Sequence, residues 1–231
     1  MVLDVGCGRG ALAEAIRGRG YTVWGIEENP AACEVARLRT DRAIDCNLNQ
    51  IEKVKAEIGG ERFDVVVFSD VLEHVYDPFS VLKGYQSILK PGGRVLISVP
   101  NVAVWTNRMA LMAGRFEYRD TGVMDRTHIR FFTFKTAREL VEAAGFTEVK
   151  MDYTPFLVRA ALPLIKKLVL RGRDVQTSDR RQLVDSPWFR RYQKYVYPVE
   201  YALGHVWMEL LAFRIIVTGV LAGRQTRINV Q

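Results

Sequence analysis

The sequence predicts an α/β fold: a doubly wound, mostly parallel sheet with helices on both faces. Three observations carry this. Short, near-continuous apolar runs alternate with stretches of helical period over the first 150 residues, and strands buried on both faces read that way. Glycine or proline punctuates the joins. The most glycine-dense turn, Gly6-Cys7-Gly8-Arg9-Gly10, directly follows the first apolar run.

The elements follow in order. Val2-Leu3-Asp4-Val5 reads as a buried strand and Ala11 to Arg17 as a helix. Tyr21 to Ile26, aromatic and β-branched, is a second strand. Pro30, tolerated in a first turn, opens a helix over Ala31 to Arg39. A weak strand at Ala43-Ile44 precedes a helix near Ile51 to Ile58. Phe63 to Phe68 is a continuous apolar strand. Val81 to Leu89 is helical until Lys90-Pro91-Gly92-Gly93 breaks it, and Arg94 to Val99 is the next strand. Thr133 N-caps a helix through Ala144 that Gly145 ends in a left-handed cap. Phe146 to Met151 is a strand, and Ala212 to Val220 is one more. Ligands of such sheets bind beyond the carboxyl ends of the strands. Functional residues are therefore expected just after strands one, two, four and five.

Composition narrows the class. Of 231 residues, 48% are hydrophobic, too many for global disorder. Three cysteines (Cys7, Cys33, Cys46) cannot build a disulfide framework, so a reduced cytoplasmic setting is expected. No signal peptide and no run of about 18 apolar residues is visible. The net charge is +7.

The glycine loop points to a nucleotide-like ligand, because glycines let the backbone turn tightly and approach closely. Gly6-x-Gly8-x-x-Ala11 also satisfies the dinucleotide fingerprint, and a tight strand–helix turn with no ligand is the lesser alternative. Asp4 and Glu27 separate the ligands. A carboxylate two residues before the first glycine suits a cation and repels a pyrophosphate. Glu27, closing strand two, can accept both hydroxyls of a ribose. A ribose ligand with an ammonium and a sulfonium but no phosphate, S-adenosylmethionine, satisfies both.

VLDVGCGRG, GIEEN, FDVVVFSDVLEHVYDP and LKPGGRVLISVPN resemble successive motifs of class I S-adenosylmethionine-dependent methyltransferases. DRTHIRFFTFKTARELVEAAGF is similar to a subgroup associated with bacterial glycan and cell-envelope biosynthesis. The resemblance covers Val2 to Lys150 and implies a Rossmann-like, seven-stranded sheet with an antiparallel last strand and a helical insertion before it. It implies a core over residues 1–154, a basic insertion over 155–211, and the last strand and tail over 212–231. Cofactor binding falls to Asp4, Gly6, Cys7, Gly8, Gly10, Glu27, Glu28, Asn47, Leu48, Ser69 and Asp70. Asn47 stands where an aspartate usually meets the adenine amino group, with Asp45 as the alternative. Such enzymes usually carry a helical segment before strand one; here the chain starts at that strand, which implies a more open cofactor site or a shortened start.

Methyl transfer is an in-line displacement, so the protein supplies alignment and sometimes a base. An alcohol acceptor points to histidine. His74, after strand four, is a candidate base or merely ties its loop. His128 lies in Met124-Asp125-Arg126-Thr127-His128-Ile129-Arg130. Asp125, Arg126 and Arg130 are candidates to hold a sugar or phosphate, or form a salt-bridged loop anchoring the next helix. Asn101 either contacts substrate or turns the chain. His205 and Cys7 read as structural, and Trp105 to Tyr118 as a helix packed on the core or an apolar substrate pocket. No metal site is expected.

The basic excess is local. Residues 1–150 hold 20 basic and 20 acidic side chains, whereas Arg159 to Lys194 alone carries +7. Phe156 to Leu170 joins an apolar face to lysines and arginines, which suits an anionic membrane surface, or a helical cap that covers the substrate pocket or makes a dimer. Trp188 to Tyr192 mixes aromatic and basic residues without a nucleic-acid module. The expected function is methyl transfer to an oxygen of a sugar or lipid-linked glycan precursor, in the cytoplasm or at the inner membrane face. The alternatives are a small-molecule or quinone-type methyltransferase and a non-catalytic cofactor-binding or membrane-associated module; a dinucleotide oxidoreductase ranks below them.

Overall fold

A computed structural model describes residues 1–155 and 190–222. Seven strands, β1 (Val2–Val5), β2 (Val23–Glu27), β3 (Arg42–Asp45), β4 (Phe63–Ser69), β5 (Leu89–Pro100), β6 (Phe146–Pro155) and β7 (Ala212–Leu221), form one sheet in the order β3-β2-β1-β4-β5-β7-β6. β1 pairs in parallel with β2 and β4, β2 with β3, and β4 with β5. β7 is antiparallel. The order reverses at β1, between β2 and β4, so the loop after β1 sits at the switch point where such sheets bind ligands.

Helices α1 (Ala11–Arg17), α2 (Pro30–Arg37), α3 (Ile51–Ile58), α4 (Pro78–Tyr85), α5 (Trp105–Met112) and α6 (Phe134–Ala143) join the strands. Every residue of β1 is buried, as a strand covered on both faces requires. Ala13 of α1 packs with Val2, Val23 and Val67, with Ile16 beside them. Side-chain caps set the helix starts. Asn29 Oδ1 accepts the Ala32 amide at 3.1 Å with Pro30 at the first position. Thr133 and Thr136 form a reciprocal capping box that opens α6, and Gly145 (φ 93°) follows it in the left-handed region.

Two boundaries differ from the sequence reading. α4 starts at Pro78, not Val81, because Asp77 Oδ1 accepts the Ser80 amide and Pro78 takes the first helical position. Lys90-Pro91-Gly92-Gly93 is a bulge inside β5 rather than a break before it. Phe63 pairs with Leu89 and Val65 with Arg94, so the extra residues loop out where Gly92 turns at φ 72°. Lys90 Nζ reaches both oxygens of Asp64 at 2.8 Å across that bulge.

The chain divides into two compact units. One comprises Met1–Val102, Glu117–Asp152 and the chain from Ile215; the other comprises Ala103–Phe116 and Tyr153–Arg214. In the second unit a π-helical turn (Tyr192–Val196) leads into α7 (Tyr197–Gly204) and the short α8 (Met208–Leu211). Tyr153 and Tyr201 stack at 5.0 Å, and a side chain at Gly204 would collide with Tyr153. His205 Nδ1 lies 3.0 Å from the Tyr201 carbonyl, a structural position. α5 buries no residue, contrary to the expected core packing: Met109, Leu111 and Met112 are exposed. Phe156 to Leu170, most of Arg159 to Lys194, and Trp188-Phe189 lie outside the described residues.

Candidate active site

The carboxyl ends of β1, β2, β4 and β5 bring the expected residues to one edge of the first unit. Gly6, Gly8 and Gly10 all have positive φ (69°, 55° and 74°). At Gly8 the space a Cβ would occupy is open, whereas at Gly6 a Cβ would come within 2.7 Å of Val71. The loop thus packs on its inner side and leaves backbone bare on its outer side. Cys7 packs against Gly25, where a Cβ would lie 2.6 Å from its sulfur. Burial, with the charges of Asp4 and Glu27 behind it, pushes the Cys7 thiol up to about 12. It is a packing residue and no nucleophile.

Asp4 is buried, and its Oδ2 has no hydrogen-bond partner. Burial raises its carboxyl to about 7. Evolution rarely leaves a buried carboxylate oxygen unsatisfied without a reason, and a cation at the glycine loop supplies one. Glu27 stands opposite. Its Oε2 accepts the Gly8 amide at 2.8 Å and its Oε1 the Asn29 amide at 2.9 Å. The acid therefore holds the glycine loop in shape, and each oxygen keeps a further lone pair for a hydroxyl.

The rim beyond β3 differs from the expectation. Asn47 Oδ1 already accepts the Asn49 amide at 2.8 Å and Asn49 Nδ2 at 3.0 Å, and its Nδ2 donates to Glu28. A carbonyl oxygen has two lone pairs, so Asn47 Oδ1 has none left for an adenine amino group in this arrangement, and one oxygen of Glu28 accepts from Asn47. The Leu48 carbonyl is held by Tyr85 Oη at 3.1 Å.

After β4, Ser69 is followed by Asp70 in a left-handed conformation (φ 54°). Asp70 N donates to the Ser98 carbonyl at 2.9 Å, and its Oδ1 accepts Ser98 Oγ at 3.0 Å. A positive φ at a non-glycine residue is a cost the surrounding bonds must hold in place, and such residues gather at functional edges.

A single-turn helix, Leu72–His74, follows, and the loop of residues 123–130 is tied to it. The Glu73 carbonyl accepts the amides of Ile129 (2.9 Å) and Arg130 (3.0 Å). His74 Nδ1 lies 3.1 Å from the Thr127 carbonyl and His128 Nδ1 lies 3.0 Å from the Val123 carbonyl. The two imidazoles meet edge to face at 4.8 Å, with His74 exposed and His128 buried.

The polar set expected to face substrate makes several contacts within the protein. Asp125 Oδ1 accepts the Thr127 amide (2.9 Å) and hydroxyl (2.7 Å), which hold its carboxyl below the usual range. Arg130 donates through Nε to the Tyr76 carbonyl at 3.0 Å and lies over the Tyr76 ring. Arg126 pairs with Asp120 at 2.8 Å in solvent. Asn101 is fully buried and bridges to Phe132. Asp125 and Arg130 thus brace the loop through part of their hydrogen-bonding capacity, and Asp125 Oδ2 and the remaining Arg130 N–H groups are not used by these bonds. The residue missed by sequence reasoning is Glu73, buried beside both histidines. Its one signal is a carboxylate between apolar Leu72 and His74.

Comparison with known proteins settles the family. A model of a methyltransferase domain matches residues 1–150. The chain belongs to this methyltransferase family. A ubiquinone biosynthesis O-methyltransferase of Pseudomonas entomophila is 45% identical over 102 residues, 43% of this chain and 44% of that one. One of Thiobacillus denitrificans is 47% identical over 103 residues, with 43% and 44% covered. The chain thus spans less than half the length of the curated relatives it matches. A methyltransferase of Archaeoglobus fulgidus shares the fold, with a TM-score of 0.58 at 17% identity, covering 95% of this chain and 85% of that one. Phosphoethanolamine N-methyltransferase 2 of Haemonchus contortus, solved with S-adenosylmethionine, aligns with a TM-score of 0.57 at 17% identity over 96% and 48%. The fold is that of class I S-adenosylmethionine-dependent methyltransferases. The residues present fit that cofactor: the unsatisfied Asp4 suits its cationic end, the open backbone at Gly8 allows close approach, and Glu27 has capacity for ribose hydroxyls.

Proposed function

We propose that the chain is the cofactor-binding part of an O-methyltransferase whose acceptor is a phenolic hydroxyl of a small, quinone-type aromatic. The observation that carries this reading is the 45–47% identity to enzymes named for O-methylation in ubiquinone biosynthesis. The sugar or lipid-linked glycan acceptor has no support among those relatives. Asp4, Gly6, Gly8 and Glu27 hold the cofactor, which supplies an electrophilic methyl group. The acceptor hydroxyl docks at His74, the exposed member of the histidine pair. A carbonyl can only accept, so the contact with Thr127 fixes the proton on His74 Nδ1 and leaves a lone pair on Nε2.

Labelled methyl transfer tests this, using catechol, a prenylated hydroxyphenol and a panel of nucleotide sugars as acceptors. Label in the phenols, with His74→Ala lowering kcat and leaving cofactor affinity unchanged, is the expected result. Label confined to the sugar fraction overturns it.

A second element concerns a membrane. Tyr195, Val199, Leu203, Val206 and Trp207 are exposed at helical spacing, with Arg190, Arg191 and Lys194 exposed beside them. Apolar residues flanked by cations suit contact with an anionic lipid surface. No helix among the described residues is long and apolar enough to cross a membrane. Co-sedimentation with anionic but not neutral liposomes, lost in Val206→Asp/Trp207→Asp, is expected; equal pelleting of parent and variant removes this element.

A further inference from the structure

Tyr76 is 81% exposed, yet it is held in place. Arg130 donates through Nε and Nη2 to the Tyr76 carbonyl, and its guanidinium carbon lies 5.3 Å from the centre of the Tyr76 ring. One cation thus fixes both the main chain and one face of the ring. The flanking chain is fixed as well: Val75 is buried, and Asp77 caps α4 by accepting the Ser80 amide. A lone aromatic ring on a surface needs no explanation. A ring immobilised beside the acceptor-docking histidine, with most of its area in water, does.

The main chain places it. Val75 is extended (φ −95°, ψ 133°). Side chains on either side of an extended residue share a face, which is why His74 and Tyr76 are exposed and Val75 is buried. Two residues of extended chain span about 6.6 Å, close to the length of a phenol. The loop of residues 123–130 holds both rings. The Thr127 carbonyl faces His74 Nδ1, and the Arg130 guanidinium covers Tyr76. A cation against one face of an aromatic ring draws on its negative charge. The opposite face is then less repulsive to an electron-rich ring stacked on it.

We propose that Tyr76 is a specificity-determining residue: the face turned away from Arg130 stacks on the ring of an electron-rich, hydroxylated aromatic acceptor whose hydroxyl meets His74. The assignment rests on the phenol-methylating reading and names what selects the acceptor. Tyr76 moves no proton and forms no bond with the acceptor. It grips the ring equally before and during transfer, so its contribution is to acceptor binding and not to the chemical step. Because Arg130 already holds the ring in position, little freedom is lost when the acceptor stacks on it.

Titration of the full chain, loaded with S-adenosylhomocysteine, with catechol tests the platform. Tyr76→Ala and Tyr76→Leu should weaken catechol binding by about ten-fold, and Tyr76→Phe should keep it within about two-fold. Leucine retains apolar area without an aromatic face, so its loss of affinity separates stacking from burial. The Arg130 bonds go to a main-chain carbonyl and survive in each variant, so S-adenosylhomocysteine affinity should match the parent. In labelled methyl transfer, KM for catechol should rise by the same factor with kcat little changed. Equal catechol affinity in parent and Tyr76→Leu, or no catechol binding by the parent, overturns the platform. Transfer to phenols with KM unmoved in Tyr76→Ala and Tyr76→Leu defeats the platform and leaves the function standing. Tyr76-dependent catechol binding without transfer to any phenol defeats the function and leaves the platform standing.

Discussion

The two halves of the ligand-binding edge treat their polar side chains in opposite ways. Around the glycine loop, Asp4 is buried with an oxygen that nothing in the protein satisfies, and Glu27 holds backbone amides with capacity to spare. In the loop of residues 123–130, Asp125 Oδ1 is taken by Thr127 and two Arg130 donors by the Tyr76 carbonyl, contacts that brace the loop. Both regions look equally rich in charge as sequence. Residue type therefore does not distinguish a binding group from a bracing group; what the neighbours leave unsatisfied does.

The widest contrast is at Asp4. Asp4→Asn should weaken S-adenosylmethionine binding by about 100-fold, roughly 3 kcal/mol, the order expected when one member of a buried charge pair is removed. Isothermal titration checks it, and affinity within three-fold of the parent would erase the contrast. The pH dependence follows from the sign of the shift. The folded carboxyl titrates near 7, above its ordinary value of 3.8. The cofactor-free chain is therefore penalised as pH rises from about 4 to about 7, since only the unfolded state ionises freely there. Asp4→Asn removes that penalty, so the cofactor-free variant should melt above the parent at pH 8, by up to roughly 4 kcal/mol in stability. Cofactor affinity of the parent should fall as pH drops below about 7, because a cation favours the ionised form, and the variant should show no such dependence.

Glu27→Gln comes next. It loses charge but keeps one acceptor, so cofactor affinity should drop by about ten-fold, near 1.4 kcal/mol, as for charge-assisted hydrogen bonds to hydroxyls. Arg130→Ala probes the bracing side. It should lower stability by about 1–2 kcal/mol through the lost Tyr76 contacts, with cofactor affinity unchanged. A large rise in acceptor KM without loss of stability would return Arg130 to substrate binding. Arg126→Ala should be the smallest, within about 0.5 kcal/mol in thermal melts, because its partner Asp120 is solvent-exposed.

Much of the fold was legible from local rules. Apolar runs without alternation marked the buried parallel strands, and Thr133 and Gly145 marked both ends of α6. Asp77-Pro78 was an equally clear start signal for α4 that periodicity alone placed three residues late. The bulge at Lys90–Gly93 was not legible, because a glycine-proline break and a bulge share composition, and only pairing with β4 tells them apart.

The sequence by itself determined the sheet, the glycine loop and the pairing of an acid on β1 with an acid on β2, since these depend on local period and on neighbours in one βαβ unit. Tertiary structure decided which polar groups remain available. Asn47 Oδ1 is taken by Asn49, two Arg130 donors by Tyr76, and Glu73 gains two histidine neighbours, one of them 55 residues along the chain. Hydrogen-bond capacity is finite and is spent through space, so a residue's chemistry is known only once its neighbours have taken their share.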